Sequence, residues 1–312
     1  MKYNILGERV LSTPRHFAYL KISEGCDNPC SFCAIPLMRG GHRSKPAVQI
    51  IKEMESLVKQ GVKEFVVVAQ DLTYYGLDIN GERSLADLLR RMSDVEGVEW
   101  IRLMYAYPAK FPLDILPVIR ERSNICTYLD MPLQHISTNV LKSMRRGITR
   151  RATEELIARI REDVPGIALR TTFITGYPSE TAEDFAELCE FVQQTRFERA
   201  GVFTYSQEDD TYAYILGDPI SAEEKEQRRT TIMDIQREIS RENNAAKIGS
   251  VMRVIVDEEI NGEWLCRSEF DAPEVDNEVY VRSATPLRIG DFVNVEIEDA
   301  SEYDLYGSVT GV

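Results

Sequence analysis

Six apolar runs, at residues 17–23, 64–70, 100–106, 127–133, 168–174 and 201–205, alternate with five helical segments. That alternation narrows the fold more than any other feature. In the helix expected over 47–60, Val48, Ile51, Met54, Leu57 and Val58 recur at three- and four-residue steps, and Gly61 stops it. The run Phe65-Val66-Val67-Val68-Ala69 is apolar throughout, as in a strand covered on both faces of a parallel sheet. Further helices are expected over 84–92 (with Ser84 as N-cap), 113–122, 137–163 with a break at Gly147, and 181–194. Right-handed crossovers place every strand's C-terminal end on one face, where barrel enzymes carry their sites. The expected class is α/β, a partial (βα)6 TIM-like barrel.

A long charged helix over 221–247 closes this region, and Gly249 marks a change of pattern. Short strands follow at 251–256, 264–268, 278–281, 292–298 and 305–309, separated by turns such as Asn261-Gly262, and they predict a small antiparallel β-barrel. The expected division is therefore a lead or linker remnant over 1–15, a core over 16–248 and a second domain over 249–312. Charge divides at the same place. The chain carries a net −14; residues 249–312 hold −11 of it and residues 1–248 only −3. Such acidity disfavours nucleic acid as the main substrate and favours a basic partner, although solubility alone also explains an acidic surface. The longest apolar runs are far too short to span a membrane and no targeting peptide is visible, so the expected location is the cytoplasm.

Three of the six cysteines, Cys26, Cys30 and Cys33, fall within eight residues. Thiolates are soft ligands that select zinc, copper(I) or iron–sulfur clusters. A structural zinc wants four ligands, which His16 or His42 would have to complete. Three thiolates without a fourth suit a [4Fe–4S] cluster with one open iron. Disulfides do not fit six cysteines in an enzyme-sized chain without a secretory signal. Cys126, Cys189 and Cys266 are scattered, and buried inert thiols are expected there.

Cys-x3-Cys-x2-Cys resembles the signature of the radical SAM superfamily. The resemblance implies a cluster on Cys26, Cys30 and Cys33 whose open iron chelates S-adenosylmethionine, so the radical arises at the cluster and no side chain is assigned as catalytic. It also implies where the cofactor lies. Phe32 is expected against the adenine or the cluster, or equally in packing. Gln70 and Asp71, ending the second strand, match the groups that meet the methionyl amino group, unless they form a surface turn. Arg170 would pair with the methionyl carboxylate, or form a surface ion pair. Thr172-Phe173-Ile174-Thr175-Gly176-Tyr177-Pro178-Ser179-Glu180 resembles the Gly-x-Ile-x-Gly-x-x-Glu element, with Thr172 in place of the first glycine. Ile174 and Gly176 would then support the adenine, and Phe203 and Tyr205 would close the pocket.

Longer strings sharpen the resemblance: Glu24 to Pro36, Arg39-Gly40-Gly41-His42-Arg43-Ser44, Pro132-Leu133-Gln134-His135, Met144-Arg145-Arg146 and Phe203-Thr204-Tyr205-Ser206. Together they look like the methylthiotransferases, radical SAM enzymes that insert sulfur and a methyl group at an unactivated C–H bond. Their barrel is followed by a small β-barrel called TRAM. Gln134 and His135 would face the cavity, with a backbone-held histidine the alternative. The resemblance implies a second cluster in an N-terminal domain, and this chain reads as a fragment without it, expected to cleave S-adenosylmethionine but not to complete methylthio transfer. Within the family, acidity favours the branch acting on an aspartate β-carbon of small-subunit ribosomal protein S-twelve, held through the TRAM domain, over the tRNA-modifying branch. A flavodoxin or ferredoxin is the expected electron donor.

Overall fold

The computed structural model describes residues 11–310, so residues 1–10 of the expected lead over 1–15 lie outside it. β1 (Phe17–Lys21) is followed by β2 (Ser23–Glu24), α1 (Ile35–Arg39) and β3 (Arg43–Ser44), with β2 and β3 forming a two-residue ladder. Then come α2 (Ala47–Val58), β4 (Glu64–Val68), a 3₁₀ turn at Leu72–Tyr74, α3 (Leu77–Asn80), α4 (Leu85–Ser93) and β5 (Trp100–Leu103). The barrel continues through α5 (Ile115–Glu121), β6 (Ile125–Asp130), α6 (Thr138–Ser143), α7 (Arg150–Asp163), β7 (Ala168–Thr175), α8 (Ala182–Thr195) and β8 (Arg199–Thr204). A second 3₁₀ turn, Tyr212–Leu216, leads into α9 (Ala222–Ala245).

The sheet order is β1-β4-β5-β6-β7-β8 with every pairing parallel, an arc of the expected partial barrel. Alternate side chains divide its two faces. Leu20, Phe65, Val67, Leu103, Leu129 and Phe173 pack outward against helical Ile50, Met54, Leu88 and Phe191. β6 ends at Asp130 rather than at residue 133, as Pro132 has no N–H for the ladder.

β9 (Val251–Ile260), β10 (Glu263–Ser268), β11 (Val279–Arg282), β12 (Phe292–Ala300) and β13 (Leu305–Val309) close into a barrel of order β10-β11-β13-β12-β9. The expected small antiparallel β-barrel is present, with one of its five seams, β11 against β13, running parallel. A ring of five strands cannot alternate direction all the way round, so one pair must be parallel.

This second domain packs on the concave face of the arc. Trp100, Tyr128 and Ala168 meet Ile255, Ala272, Phe270 and Phe292, and the Trp100 and Phe292 rings stand edge to face at 4.8 Å. Charges are buried beside them. Glu64 accepts from Arg102 at 2.9 Å and from Arg267 at 2.7 Å, and Arg267 also binds Asp257, which holds His16 at 2.6 Å. Part of the domain's acidity is therefore consumed internally: Asp257, Asp271 and Asp276, three of its fifteen carboxylates, pair with His16, Arg199 and Arg170 of the barrel.

Candidate functional site

The cysteine loop is tied to the C-terminal ends of the strands from several sides. Its base closes through Cys26 N–H donating to the Gly40 carbonyl at 3.1 Å. Gly25 has φ +78°, and a Cβ there would overlap the Gly40 and Gly41 carbonyl oxygens, so only glycine fits. Ser31 is the central anchor. Its N–H donates to the Met144 carbonyl at 3.0 Å, its hydroxyl meets the Ser143 carbonyl and the Tyr177 hydroxyl at 2.9 Å each, and its carbonyl accepts from Ala213 at 2.7 Å. Gly25→Ala is expected to fold but to lose cluster loading, read as the iron bound after anaerobic reconstitution.

Polar donors surround two of the sulfurs. The backbone and side-chain N–H groups of Asn28 lie 3.5 Å from Cys26 Sγ. Cys30 Sγ lies 3.3 Å from an Arg146 guanidinium nitrogen and 3.6 Å from the Tyr107 hydroxyl. Arg146 stacks on the Tyr107 ring at 4.2 Å, and its carbonyl accepts a hydrogen bond from that hydroxyl, which leaves the Tyr107 oxygen as an acceptor towards Cys30. Donors aimed at sulfur stabilise thiolates and tune a bound cluster. Desolvation pushes the Cys26 thiol up to about 11 against the opposing Asn28 bonds, and it pushes the Cys33 thiol up as well. Iron binding must therefore release those protons.

Three thiolates in one loop are the donor set that a cluster with one open iron requires. Among the described residues no three His, Cys, Asp or Glu side chains converge on a single-ion site. A zinc ion needs its ligands on one point at about 2.0–2.3 Å, whereas a cluster takes one thiolate per iron and keeps them apart. Of the histidines proposed to complete zinc, His16 Nε2 is held by Asp257 and His42 Nε2 lies 3.2 Å from Ser44 Oγ, while the Nδ1 of each is buried without a hydrogen-bond partner.

The expected cofactor residues separate into three groups. Ile174 and Phe203 are direct register partners on β7 and β8, and Phe203 is 64% exposed on the concave side. Phe32 and Ile174 pack against the small cluster of Val140, Met144, Tyr177 and Tyr205, directly behind the cysteine loop. Gln70 and Gln134, at the ends of β4 and β6, each carry a buried side-chain oxygen without a partner. Gln134 sits at φ +73° while its N–H and carbonyl bond to the β7 backbone. Tyr105, ending β5, has φ +66°. Left-handed backbone at two neighbouring strand ends is strain of the kind that gathers at functional sites.

The other four residues hold the site rather than line it. Asp71 is buried with both oxygens engaged: Oδ1 accepts from the Thr73 N–H at 2.8 Å and hydroxyl at 2.7 Å, and Oδ2 accepts from Asn28 at 2.8 Å. It positions the cysteine loop. His135 is fully buried, and its Nδ1 accepts from the Ser137 N–H at 3.0 Å, while Nε2 lies 3.6 Å from Glu180 without a hydrogen-bond partner. Gly176 leaves room for a protein side chain, since a Cβ there would overlap Lys225 of α9, and its N–H donates to Glu180. Arg170 is the clearest correction. It pairs with Asp130 at 2.9 Å and with Asp276 of the second domain at 3.2 Å. Five residues before the end of β7, it lies about 16 Å from the strand ends at about 3.3 Å per residue.

Asn28 stood in the quoted Glu24 to Pro36 string without a role, and sequence reasoning missed Tyr107 and Tyr105. Nothing in their local pattern separates them from turn and strand-end residues. Arg146 stood in a quoted string without a role. Arg146→Met is expected to weaken cluster retention about 10–100-fold, the usual cost of losing a group behind a metal ligand. A chelator titration of the reconstituted protein measures it, and Arg146→Lys should recover only part, as it keeps the charge without the planar fork.

Residues 20–192 match the family model of the radical SAM superfamily, and residues 248–310 match that of the TRAM domain. Proteins named ribosomal protein uS12 methylthiotransferase RimO are similar over nearly the whole chain. The one from Cytophaga hutchinsonii is 57% identical over 99% of this chain and 71% of its own length. That from Chloroherpeton thalassium is 54% identical over 99% and 72%. That from Flavobacterium johnsoniae is 52% identical over 98% and 70%. Among solved structures, coproporphyrinogen III oxidase (HemN) from Escherichia coli, a radical SAM enzyme, superposes with a TM-score of 0.54 at 20% identity, covering 72% of this chain and 53% of its own. The radical S-adenosylmethionine methyltransferase TsrM from Kitasatospora setae, with cobalamin and a [4Fe-4S] cluster bound, gives 0.53 at 20% identity, covering 64% and 38%. At such identity these two show the fold alone.

Proposed function

We infer, for a chain that belongs to the radical SAM superfamily and within it to the RimO family of ribosomal protein uS12 methylthiotransferases, that Cys26, Cys30 and Cys33 hold the [4Fe–4S] cluster at which S-adenosylmethionine is cleaved to attack uS12. The chain is a transferase, and its cofactors are that cluster and S-adenosylmethionine. The observation that carries the site assignment is the three-cysteine loop, lashed to the strand ends with N–H donors of Asn28 and Arg146 turned to its sulfurs. When bound, cluster and cofactor supply a carbon radical able to take hydrogen from an unactivated C–H bond.

The chain's own residues do the rest. Ile174 and Phe203 offer the adenine an apolar wall on the concave face, with Phe32 and Tyr205 supporting it from behind. The unpartnered Gln70 and Gln134 oxygens would accept hydrogen bonds from donor groups of the bound cofactor, which would relieve their buried isolation. Asp71, His135 and Gly176 fix the loops that carry these groups. The barrel extends to residue 248 and the TRAM domain from 249. Basic uS12 is drawn by the acidity that the domain interface leaves exposed, including Glu258, Glu259 and Glu263 at the β9–β10 turn and Glu296, Asp299 and Glu302 on the far side. A flavodoxin or ferredoxin supplies the electron.

The test is isotopic. With uS12 deuterated at the aspartate β-carbon, the reconstituted and reduced protein should move deuterium into deoxyadenosine. Deoxyadenosine that forms without deuterium, whatever the uS12 concentration, overturns the substrate assignment, while the superfamily chemistry stands.

A further inference from the structure

One groove of the chain carries charge opposite to that of the molecule as a whole. A groove of about 830 Å³ lies between the segment after β5 and the helices α6 and α7. Pro29, the residue before Cys30, forms part of its wall, and Phe111 and Leu156 contribute to an apolar lining. Lys110, Lys142 and Arg145 line it, and no aspartate or glutamate does. All three are exposed, and none has a carboxylate within salt-bridge distance among the described residues. Arg145 is held in place by stacking over the Tyr212 ring at 3.8 Å. Most other arginines of this chain are paired with acids. Three unpaired cations in one groove of a protein with net charge −14 are complementary to an acidic partner.

We propose that this groove docks the acidic one-electron carrier protein that reduces the cluster. The inference rests on the cluster assignment above. Three features choose this occupant. Basic uS12 would be repelled here. A long polyanion such as RNA would meet the acidic remainder of the surface. The groove also shares Pro29 with the cysteine loop, and Arg145 adjoins Arg146, whose guanidinium touches Cys30 Sγ, so a carrier seated here stands beside the cluster. In the step itself the carrier loses one electron and the oxidised cluster gains one. Electron-carrier encounters use small interfaces and gain much of their speed from charge, which three lysine and arginine side chains can supply.

The test compares two reductants on the reconstituted protein. In the Lys110→Glu, Lys142→Glu, Arg145→Glu triple variant, cluster reduction by reduced flavodoxin should slow at least about tenfold at low salt. Reduction by dithionite, a small reductant that needs no docking, should be unchanged. Binding of oxidised flavodoxin to the unaltered protein should weaken as salt rises, and the variant should lose that dependence. The milder Lys110→Gln, Lys142→Gln, Arg145→Gln variant should fall between, and serves if charge reversal impairs folding. An unchanged flavodoxin rate in a cluster-loaded variant overturns the proposal. So does an RNA oligonucleotide that binds the groove while flavodoxin does not. A protein whose cluster neither reductant can reduce overturns the cluster assignment and the inference with it.

Discussion

Replacing Cys26, Cys30 or Cys33 with alanine, one at a time, should abolish cluster binding and with it every reductive cleavage of S-adenosylmethionine. Iron after anaerobic reconstitution should fall from about four per chain, the stoichiometry of a cubane, to near none. Folding should survive. The loop is held by Ser31, Asn28 and the glycines rather than by the thiols, which in this structure receive hydrogen bonds and make few. A circular dichroism melt close to that of the unaltered apo-protein would confirm that the loss is one of ligation. Cys126, a fully buried thiol on β6, is the contrasting case: Cys126→Ala should leave iron binding intact. A variant at Cys33 that kept a full cluster and cleaved the cofactor would overturn the ligand set.

The second large effect concerns stability. Glu64→Gln should cost about 3–5 kcal/mol, the range for removing one partner of a buried pair. Glu64, Arg102 and Arg267 are nearly or wholly inaccessible, so the amide leaves two guanidinium groups with one compensating charge fewer. Urea unfolding of barrel and second domain together is the measurement. Its pH dependence follows in sign. Burial alone would raise the Glu64 carboxyl, but Arg267 and Arg102 outweigh it and hold the group below its ordinary range. A depressed folded-state value makes the stabilisation complete above the unfolded value of about 4.3 and progressively lost as pH falls below it. The Glu64→Gln variant should therefore lose part of its slope of stability against pH in that acid range. A variant as stable as the parent would show that the buried charges do not join the domains.

The cysteine spacing was legible because a metal motif is local: eight residues of one loop carry all three thiols. The strand and helix alternation was legible for a similar reason, since periodicity is written within each segment. The supporting groups were not. Tyr107 lies 77 residues from Cys30 and Arg146 lies 116 residues from it, and only the closing of the sheet brings both to one sulfur. Arg170 shows the opposite failure. A cation on a strand of a cofactor-binding barrel invites a carboxylate partner, and it has two, but both are protein side chains because the second domain occupies that part of the concave face. Gly176 likewise makes room for Lys225 and not for a ligand.

The acidic domain changed meaning in the same way. Composition counts Asp257, Asp271 and Asp276 as free charge, yet the structure spends them on His16, Arg199 and Arg170. By itself, the sequence determined the parallel barrel, the small second barrel and the three-cysteine motif, since each depends on spacing along the chain. Only the tertiary structure decided which charges face solvent, which donors reach the sulfurs and where three cations stand unpaired, because contacts between distant segments exist only after the chain has folded.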